Sequence, residues 1–256
     1  MATIYHIGVS YVVVVNCYNT EMITFFLFVL GTVVGSFLNV VALRWGTGRT
    51  LLGRSSCPFC GKKLKWWELV PIVSFLVLRA RCQGCQAKIS WRYPLIELWT
   101  GLVFATVPYI FIPIFCIYIV ITIYDLRHKI IPDSLVYASI MLALVLRLIS
   151  GGGLWDWFSG PMLFTFFGSI WLLSRGRAMG LGDAKLGLSV GLLLGASQGF
   201  SAIVLAFWIG ALASIVYLFF NKNLTMKSEV PFAPFIVAGA WVSLVFDLNI
   251  FYVTLF

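Results

Sequence analysis

The stretch Leu95-Ile-Glu97-Leu-Trp-Thr-Gly-Leu-Val-Phe-Ala-Thr-Val-Pro108-Tyr-Ile-Phe-Ile-Pro113-Ile-Phe-Cys116-Ile-Tyr-Ile-Val-Ile-Thr-Ile-Tyr124 decides how this chain is laid out. It is longer than the roughly 20 apolar residues that cross a bilayer, and two prolines interrupt it. Proline breaks a helix interior by removing a donor and clashing with the preceding turn. Read as two short spans, 95–109 and 111–125, it gives eight apolar segments, the others being 22–43, 134–149, 158–174, 184–197, 199–220 and 231–253. Read as one span, it shifts every later segment to the opposite side of the membrane.

Charge chooses between the two. With eight spans, segments 44–94, 126–133, 175–185 and 221–230 share one side and hold ten, two, three and two Lys or Arg residues, which is every one in the chain except Arg147. Basic residues accumulate in cytoplasmic loops, so these segments are expected in the cytoplasm and both termini outside. Arg147 falls near the far end of its helix, where it is expected to snorkel to the interface.

Composition agrees on the solvent. The chain is 61% hydrophobic and 11% charged, with a mean hydropathy of +0.99, whereas a soluble domain carries about 25% charged residues. The expected fold is an all-α polytopic membrane protein of about eight transmembrane helices with a small cytoplasmic zinc-binding loop. Its parts are an external N-terminus and first helix (1–43), the loop (44–94) and a membrane core (95–256). No Lys or Arg precedes the short apolar run at 9–15, so a cleaved signal is not expected. The net charge of +9 is a topology signal, and nucleic-acid binding is not needed to explain it.

Two acids stand out because carboxylates at the edge of apolar spans are costly and by default functional. Asp125 ends the span at 111–125, and Asp183 lies in Gly180-Leu-Gly182-Asp183-Ala-Lys185, just ahead of the run at 184–194. Capping the following helix is a simple alternative for Asp183. It does not serve for Asp125, since an anion near a helix C-terminus opposes the macrodipole. Other acids have plainer expectations: Asp133, after Pro132, as a helix N-cap, and Asp156, between Trp155 and Trp157, as a solvated turn residue. Gly180 and Gly182 leave room for an extended substrate strand, while Gly187, Gly191 and Gly195 are expected to let membrane helices pack closely.

The loop holds Cys57-Pro-Phe-Cys60 and Cys82-Gln-Gly-Cys85. Two C-x-x-C knuckles at this separation fit a tetrahedral zinc site, Cys57, Cys60, Cys82 and Cys85 each giving one thiolate. Disulfides or a redox pair are the competing reading, opposed by a reducing cytoplasm and the absence of a βαβ pattern. Cys17 and Cys116 read as packing groups. Between the knuckles, Trp66, Trp67 and the apolar run at 69–78 are too short to cross a bilayer, and Pro71 interrupts them. They are expected to lie on the membrane surface and anchor the loop, with Lys62, Lys63, Lys65, Arg79, Arg81, Lys88 and Arg92 facing anionic headgroups.

Together with Gly35-Ser-Phe-Leu-Asn39-Val-Val-Ala-Leu-Arg44, Ile89-Ser-Trp-Arg-Tyr-Pro94-Leu-Ile-Glu97 and Val230-Pro-Phe-Ala233-Pro-Phe235, these motifs resemble the bacterial type IV prepilin peptidases, the leader peptidase and N-methyltransferase enzymes. The resemblance covers most of the chain in order and spacing. It implies an inner-membrane aspartyl protease of the Gly-x-Gly-Asp class with Asp125 and Asp183 as catalytic residues and the four cysteines as its tetrad. The implied substrates are precursors of type IV pilins and of pilin-like subunits of secretion or DNA-uptake machines, cut after a Gly on the cytoplasmic side. The same resemblance implies methylation of the new amino group from S-adenosylmethionine, an activity that no Gly-x-Gly-x-x-Gly loop in this chain supports independently. Asn39 and Glu97 match family positions without an assigned role. The chain departs from the pattern at Trp45-Gly46 and Ala233.

Two neighbouring carboxylates cannot both ionise cheaply and so share a proton, one activating water while the other hydrogen-bonds the carbonyl oxygen. Helix ends cast Asp183 as base and Asp125 as acid; Arg127 and His128 leave the swapped assignment open. An ion-coupled transporter would use the same acids as a proton relay but leaves the cysteine loop unexplained. A zinc-loop assembly scaffold would tolerate Asn at both.

Overall fold

The computed structural model describes residues 20–47, 50, 53–177, 179–220 and 230–250. The expected external N-terminus up to residue 19, with Cys17, and the basic loop at 221–229 lie outside the described residues. The regular elements of those described are helices, and they contain no strand; two isolated bridges, Ser56 to Lys63 and Arg81 to Lys88, lie in the otherwise irregular cysteine loop. The chain divides into two compact units, the first ending at Ile123 and the second beginning at Tyr124.

In the first unit, α1 (Thr20–Arg44) packs against α3 (Arg92–Thr106). Small residues set the spacing: a Cβ on Gly31 would lie 2.9 Å from Gly101 Cα, and one on Gly35 would lie 3.0 Å from Glu97 Cα. Between them runs the cysteine loop with a 3-10 turn (Trp66–Leu69) and the short α2 (Val73–Val77). The stretch at 95–124 is two helices. α3 stops at Thr106, a 3-10 turn spans Tyr109–Phe111, and α4 (Ile112–His128) follows. Pro108 makes the break. Pro113 does not, because it sits in the first turn of α4, where its missing N–H has no partner to lose.

The second unit holds the last turn of α4 with α5 (Asp133–Ser150), α6 (Leu154–Ser174), α7 (Leu181–Phe220) and α8 (Ala233–Val245). α5, α6 and α8 all pack on α7. At the α6 crossing, Ser159 Oγ donates to Gly191 O at 2.8 Å, and a Cβ on Gly191 would lie 2.8 Å from Gly160 Cα. The backbones touch, as small residues allow in apolar surroundings.

α7 is broken at Gly195, whose φ of 82° and ψ of −173° fall where only glycine is comfortable. The expected division at 198, between 184–197 and 199–220, is therefore present, three residues early. The break leaves carbonyls and an N–H without helical partners. Arg147, only 4% exposed, donates through Nε to Leu192 O at 2.8 Å and through Nη2 to Leu193 O at 3.1 Å. Asp156 Oδ1 accepts the Ala196 N–H at 3.0 Å, and its Oδ2 accepts the Gly153 N–H at 3.1 Å. Both expectations for these residues are corrected. Arg147 turns inward because the helix break offers acceptors in an apolar interior, and Asp156 belongs to the first turn of α6 rather than a solvated loop.

Five stretches are long and apolar enough to cross a bilayer: Glu21–Arg44, Tyr109–His128, Asp133–Ser150, Leu154–Ser174 and Leu181–Val216; Ala233–Val245 is apolar but shorter. The last of the five contains the Gly195 break.

Candidate active site and metal centre

Asp125 and Asp183 both lie in the second unit, on the last turn of α4 and the first turn of α7. Each is buried, at 4% and 8% exposure. The backbone N–H of Ala233, the first residue of α8, donates to the Asp125 carboxylate, and that of Gly180 donates to the Asp183 carboxylate. Each carboxylate keeps one buried oxygen with no partner, Oδ2 of Asp125 and Oδ1 of Asp183. Their charges act on one another. An orphaned buried carboxylate oxygen is costly, and two of them within mutual electrostatic range make a site that water or a peptide carbonyl would complete.

Local structure explains the spacing of the Gly-x-Gly-Asp string. Gly180 precedes the helix and its carbonyl accepts the Asp183 N–H at 3.2 Å, so the bonds between Gly180 and Asp183 are reciprocal, as at a capped N-terminus. Asp183 is thus three residues into the helix start and caps it through Gly180 with one oxygen only. At Gly182 a Cβ would lie 2.9 Å from Ile131 Cβ, whereas at Gly180 the nearest atom is Asp183 Oδ2 at 3.5 Å; Gly182 is needed for the close approach of Ile131.

Asp133 is the first residue of α5, and Pro132 holds the cap position with no side-chain bond. The expected N-cap role is corrected. Instead Asp133 Oδ1 accepts from Lys185 Nζ at 2.6 Å, and that ammonium also sits 5.0 Å from the centre of the Tyr137 ring. The pair ties the start of α5 to the start of α7, two residues beyond Asp183. His128 stacks on Tyr124 at 4.5 Å between ring centres, a packing role.

In the first unit, the four cysteines converge. Their sulfurs lie within 4.8 Å of one another, and Cys57 Sγ is 3.8 Å from Cys85 Sγ. A tetrahedron with metal–sulfur bonds of about 2.3 Å has edges of about 3.8 Å, whereas a disulfide needs sulfurs at about 2.05 Å. The donor set and its spacing fit a metal ion, and all four thiols are free.

The two knuckles are the same structure repeated. Cys57 N–H donates to Lys62 O and Gly61 N–H to Cys57 O; Cys82 N–H donates to Ala87 O and Gln86 N–H to Cys82 O. The bridges Ser56 to Lys63 and Arg81 to Lys88 close each turn. Gly61 at φ 69° and Gln86 at φ 59° occupy the equivalent left-handed position. The N–H groups of Cys85 and Gly84 hold the Cys82 thiol down to about 6. The Ala87 amide pulls Cys85 the same way, but burial and the thiols of Cys60, Cys82 and Cys57 outweigh it and push Cys85 up to about 11.

Sequence reasoning misassigned Arg147 and Asp156 and left Glu97 without a role, although all three carried signals. Arg147 was the one basic residue outside the charged segments, Asp156 was an acid on the same expected side, and Glu97 was an acid inside an apolar stretch.

The fold and its site define a class: a protein of apolar, bilayer-length helices with a buried aspartate pair at helix ends and a separate four-cysteine module. Residues 29–111 match the bacterial peptidase A24 N-terminal domain, and residues 110–215 match the type IV leader peptidase family. The chain belongs to the type IV leader peptidase family. It is 33% identical to the prepilin leader peptidase/N-methyltransferase of Myxococcus xanthus over 80% of this chain and 66% of that one. It is 31% identical to the enzyme of that name from Bacillus subtilis, covering 84% and 90%, and 30% identical to that of Pseudomonas aeruginosa, covering 84% and 87%. No solved structure matches the chain.

Proposed function

We propose that this protein removes the leader peptide from type IV prepilins or pilin-like precursors and then N-methylates the exposed amino group. The observation that carries the proteolytic half is the buried pair Asp125 and Asp183, each with one anchored and one unpartnered oxygen. The Ala233 and Gly180 amides fix the carboxylates, and the free oxygens do the chemistry. One carboxylate takes a proton from the attacking water while the other, protonated, donates to the scissile carbonyl; the proton then passes to the leaving amine. The helix ends favour Asp183 as base and Asp125 as acid.

The methyl group comes from S-adenosylmethionine, and this half rests on the family relationship. Cys57, Cys60, Cys82 and Cys85 hold zinc as a structural ion, which contributes folding energy to its loop. The working location is the bacterial inner membrane. Counting α3, α8 and the two arms of α7 gives eight crossings, with 1–43, 44–94 and 95–256 as N-terminal helix, cytoplasmic cysteine loop and protease core. Charge distribution supports a cytoplasmic face for the cysteine loop and both aspartates.

The test is to incubate the detergent-purified chain with a prepilin and follow, by mass, loss of the leader and then gain of one methyl group. A precursor left intact by folded, metal-loaded protein overturns the proposal. Proton flux into liposomes without cleavage would instead mark the acids as a relay.

A further inference from the structure

Glu97 ties the cysteine loop to α3. It is buried in α3, and its Oε2 accepts the backbone N–H of Ile72 at 2.8 Å, while the Ser36 side chain reaches the same carboxylate. Ile72 has φ 59°, a strained value for a β-branched residue that persists only where surroundings enforce it. The chain reverses there, between the 3-10 turn and α2.

The level of this contact can be read from α1. Ser36 precedes Arg44, the last residue of α1, by eight positions, which at 1.5 Å per residue places it about 12 Å inside that end. No charge intervenes. At this level α1 turns Val33 and Phe37 outward, and α3 turns Leu95 and Leu98 outward. The headgroup zone is about 5–8 Å deep on each side; with Arg44 as the headgroup end of the α1 span, the Ile72 amide falls below that zone.

Around that amide, Leu69, Val70, Val73, Leu76 and Val77 are all exposed, Val77 by 70%. Backbone at this depth must satisfy its polar groups internally. The N–H groups of Val73, Ser74, Leu76 and Leu78 bond within the segment, and Glu97 supplies the partner for Ile72. Exposed Arg79 and Arg81 follow immediately, and Lys88 and Arg92 come next.

We infer that residues 69–77 form a re-entrant wedge in the acyl region of the leaflet at the Arg44 end of α1, hung from Glu97, with lipid as its occupant. Val73, Leu76 and Val77 meet acyl chains, and Arg79, Arg81, Lys88 and Arg92 take anionic headgroups. This places the segment deeper than a surface-lying anchor. The inference rests on α1 as a bilayer span.

The experiment uses the full chain in lipid nanodiscs, with p-benzoylphenylalanine placed singly at Leu76, at Phe37 or at the exposed Gln86, and lipid adducts counted by mass after irradiation. Adducts at Phe37 and Leu76 with none at Gln86 support the wedge. Adducts at Phe37 alone overturn it while leaving α1 in the bilayer, and none at either position overturns both readings. Cross-linking of Leu76 to protein overturns lipid as occupant. Glu97→Ala should abolish the Leu76 adduct and speed amide exchange at 72–77, and Glu97→Gln, which keeps an acceptor oxygen, should restore both. Replacing phosphatidylcholine with phosphatidylglycerol should raise the Leu76 yield, and Arg79→Glu with Arg81→Glu should cancel that gain. An unchanged yield in all these variants overturns the roles of Glu97 and the basic residues.

Discussion

Arg147 of α5 and Asp156 of α6 meet at the Gly195 break in α7, one capping the carbonyls of Leu192 and Leu193 and the other the Ala196 N–H. A Cβ on Gly195 would lie 2.6 Å from Asp156 Oδ1 and 3.0 Å from Arg147 Nη2, so glycine is required both for the angle and for the space. Arg147 is buried and holds two carbonyls that the helix break leaves free, and stripping a buried acceptor of its partner costs about 1–3 kcal/mol. Arg147→Met should therefore lower thermal stability in detergent strongly. The double variant with Asp156→Asn should cost less than the sum of the singles, the signature of direct coupling. Additive losses would show that the two caps act separately.

The repeated knuckle makes a prediction of opposite sign. Gln86 holds the left-handed conformation that Gly61 holds in the first turn, and a side chain there costs about 1 kcal/mol. Gln86→Gly should slow proteolysis of the loop and raise its resistance to chelators, while Gly61→Gln should do the reverse. Equal behaviour of both variants would mean that the two turns are not energetically equivalent.

Most of the helical layout was legible because it depends on apolar length and charge asymmetry, which the sequence carries openly. The Pro108 turn and the division of α7 were both foreseen. What the sequence did not disclose were polar groups whose partners are backbone atoms far along the chain. Arg147 read as a snorkelling cation because nothing local marks Leu192 and Leu193 as free acceptors. Asp133 read as a cap because Lys185 is 52 positions away. Asp125 and Asp183 were singled out as candidates by their cost in an apolar setting, but the amides of Ala233 and Gly180 that hold them appear only in three dimensions.

Glu68 gives the cysteine loop a pH dependence. Its carboxylate accepts the Lys65 N–H at 2.7 Å and pairs with Lys62 Nζ at 3.0 Å; the Lys65 amide first, then the Lys62 ammonium, hold it below its ordinary value of 4.5. A carboxylate lowered in the folded state contributes stability that is present above its unfolded value and lost as pH falls through the folded one. Glu68→Gln should therefore speed amide exchange around Lys65 at neutral pH, and the difference from wild type should shrink as pH drops below about 4.5. A difference that stays constant with pH would assign the effect to packing.

The Asp133–Lys185 bridge is more exposed, with the Asp133 side chain 64% accessible, and such pairs contribute about 0–1 kcal/mol. Asp133→Asn should retain most prepilin cleavage, losing at most about fivefold. Lys185→Glu, which opposes two acids, should lose more. Abolition of cleavage by Asp133→Asn, with the protein still folded, would move Asp133 into the catalytic machinery.

The aspartate pair makes the sharpest demand. Asn matches Asp in shape and still accepts a hydrogen bond from Ala233 or Gly180, but it can neither ionise nor share a proton. Asp125→Asn and Asp183→Asn should each reduce leader removal by at least about 100-fold, the scale of a lost general acid or base, while metal content and thermal stability stay near wild type. The proton-sharing arrangement also predicts a bell-shaped dependence of kcat/KM on pH, governed by two apparent values that belong to the pair. Each single variant should lose the bell and not merely its height. Appreciable turnover by Asp183→Asn in a preparation free of host peptidase would return Asp183 to capping α7 through Gly180, and Asp125 would then need a different partner.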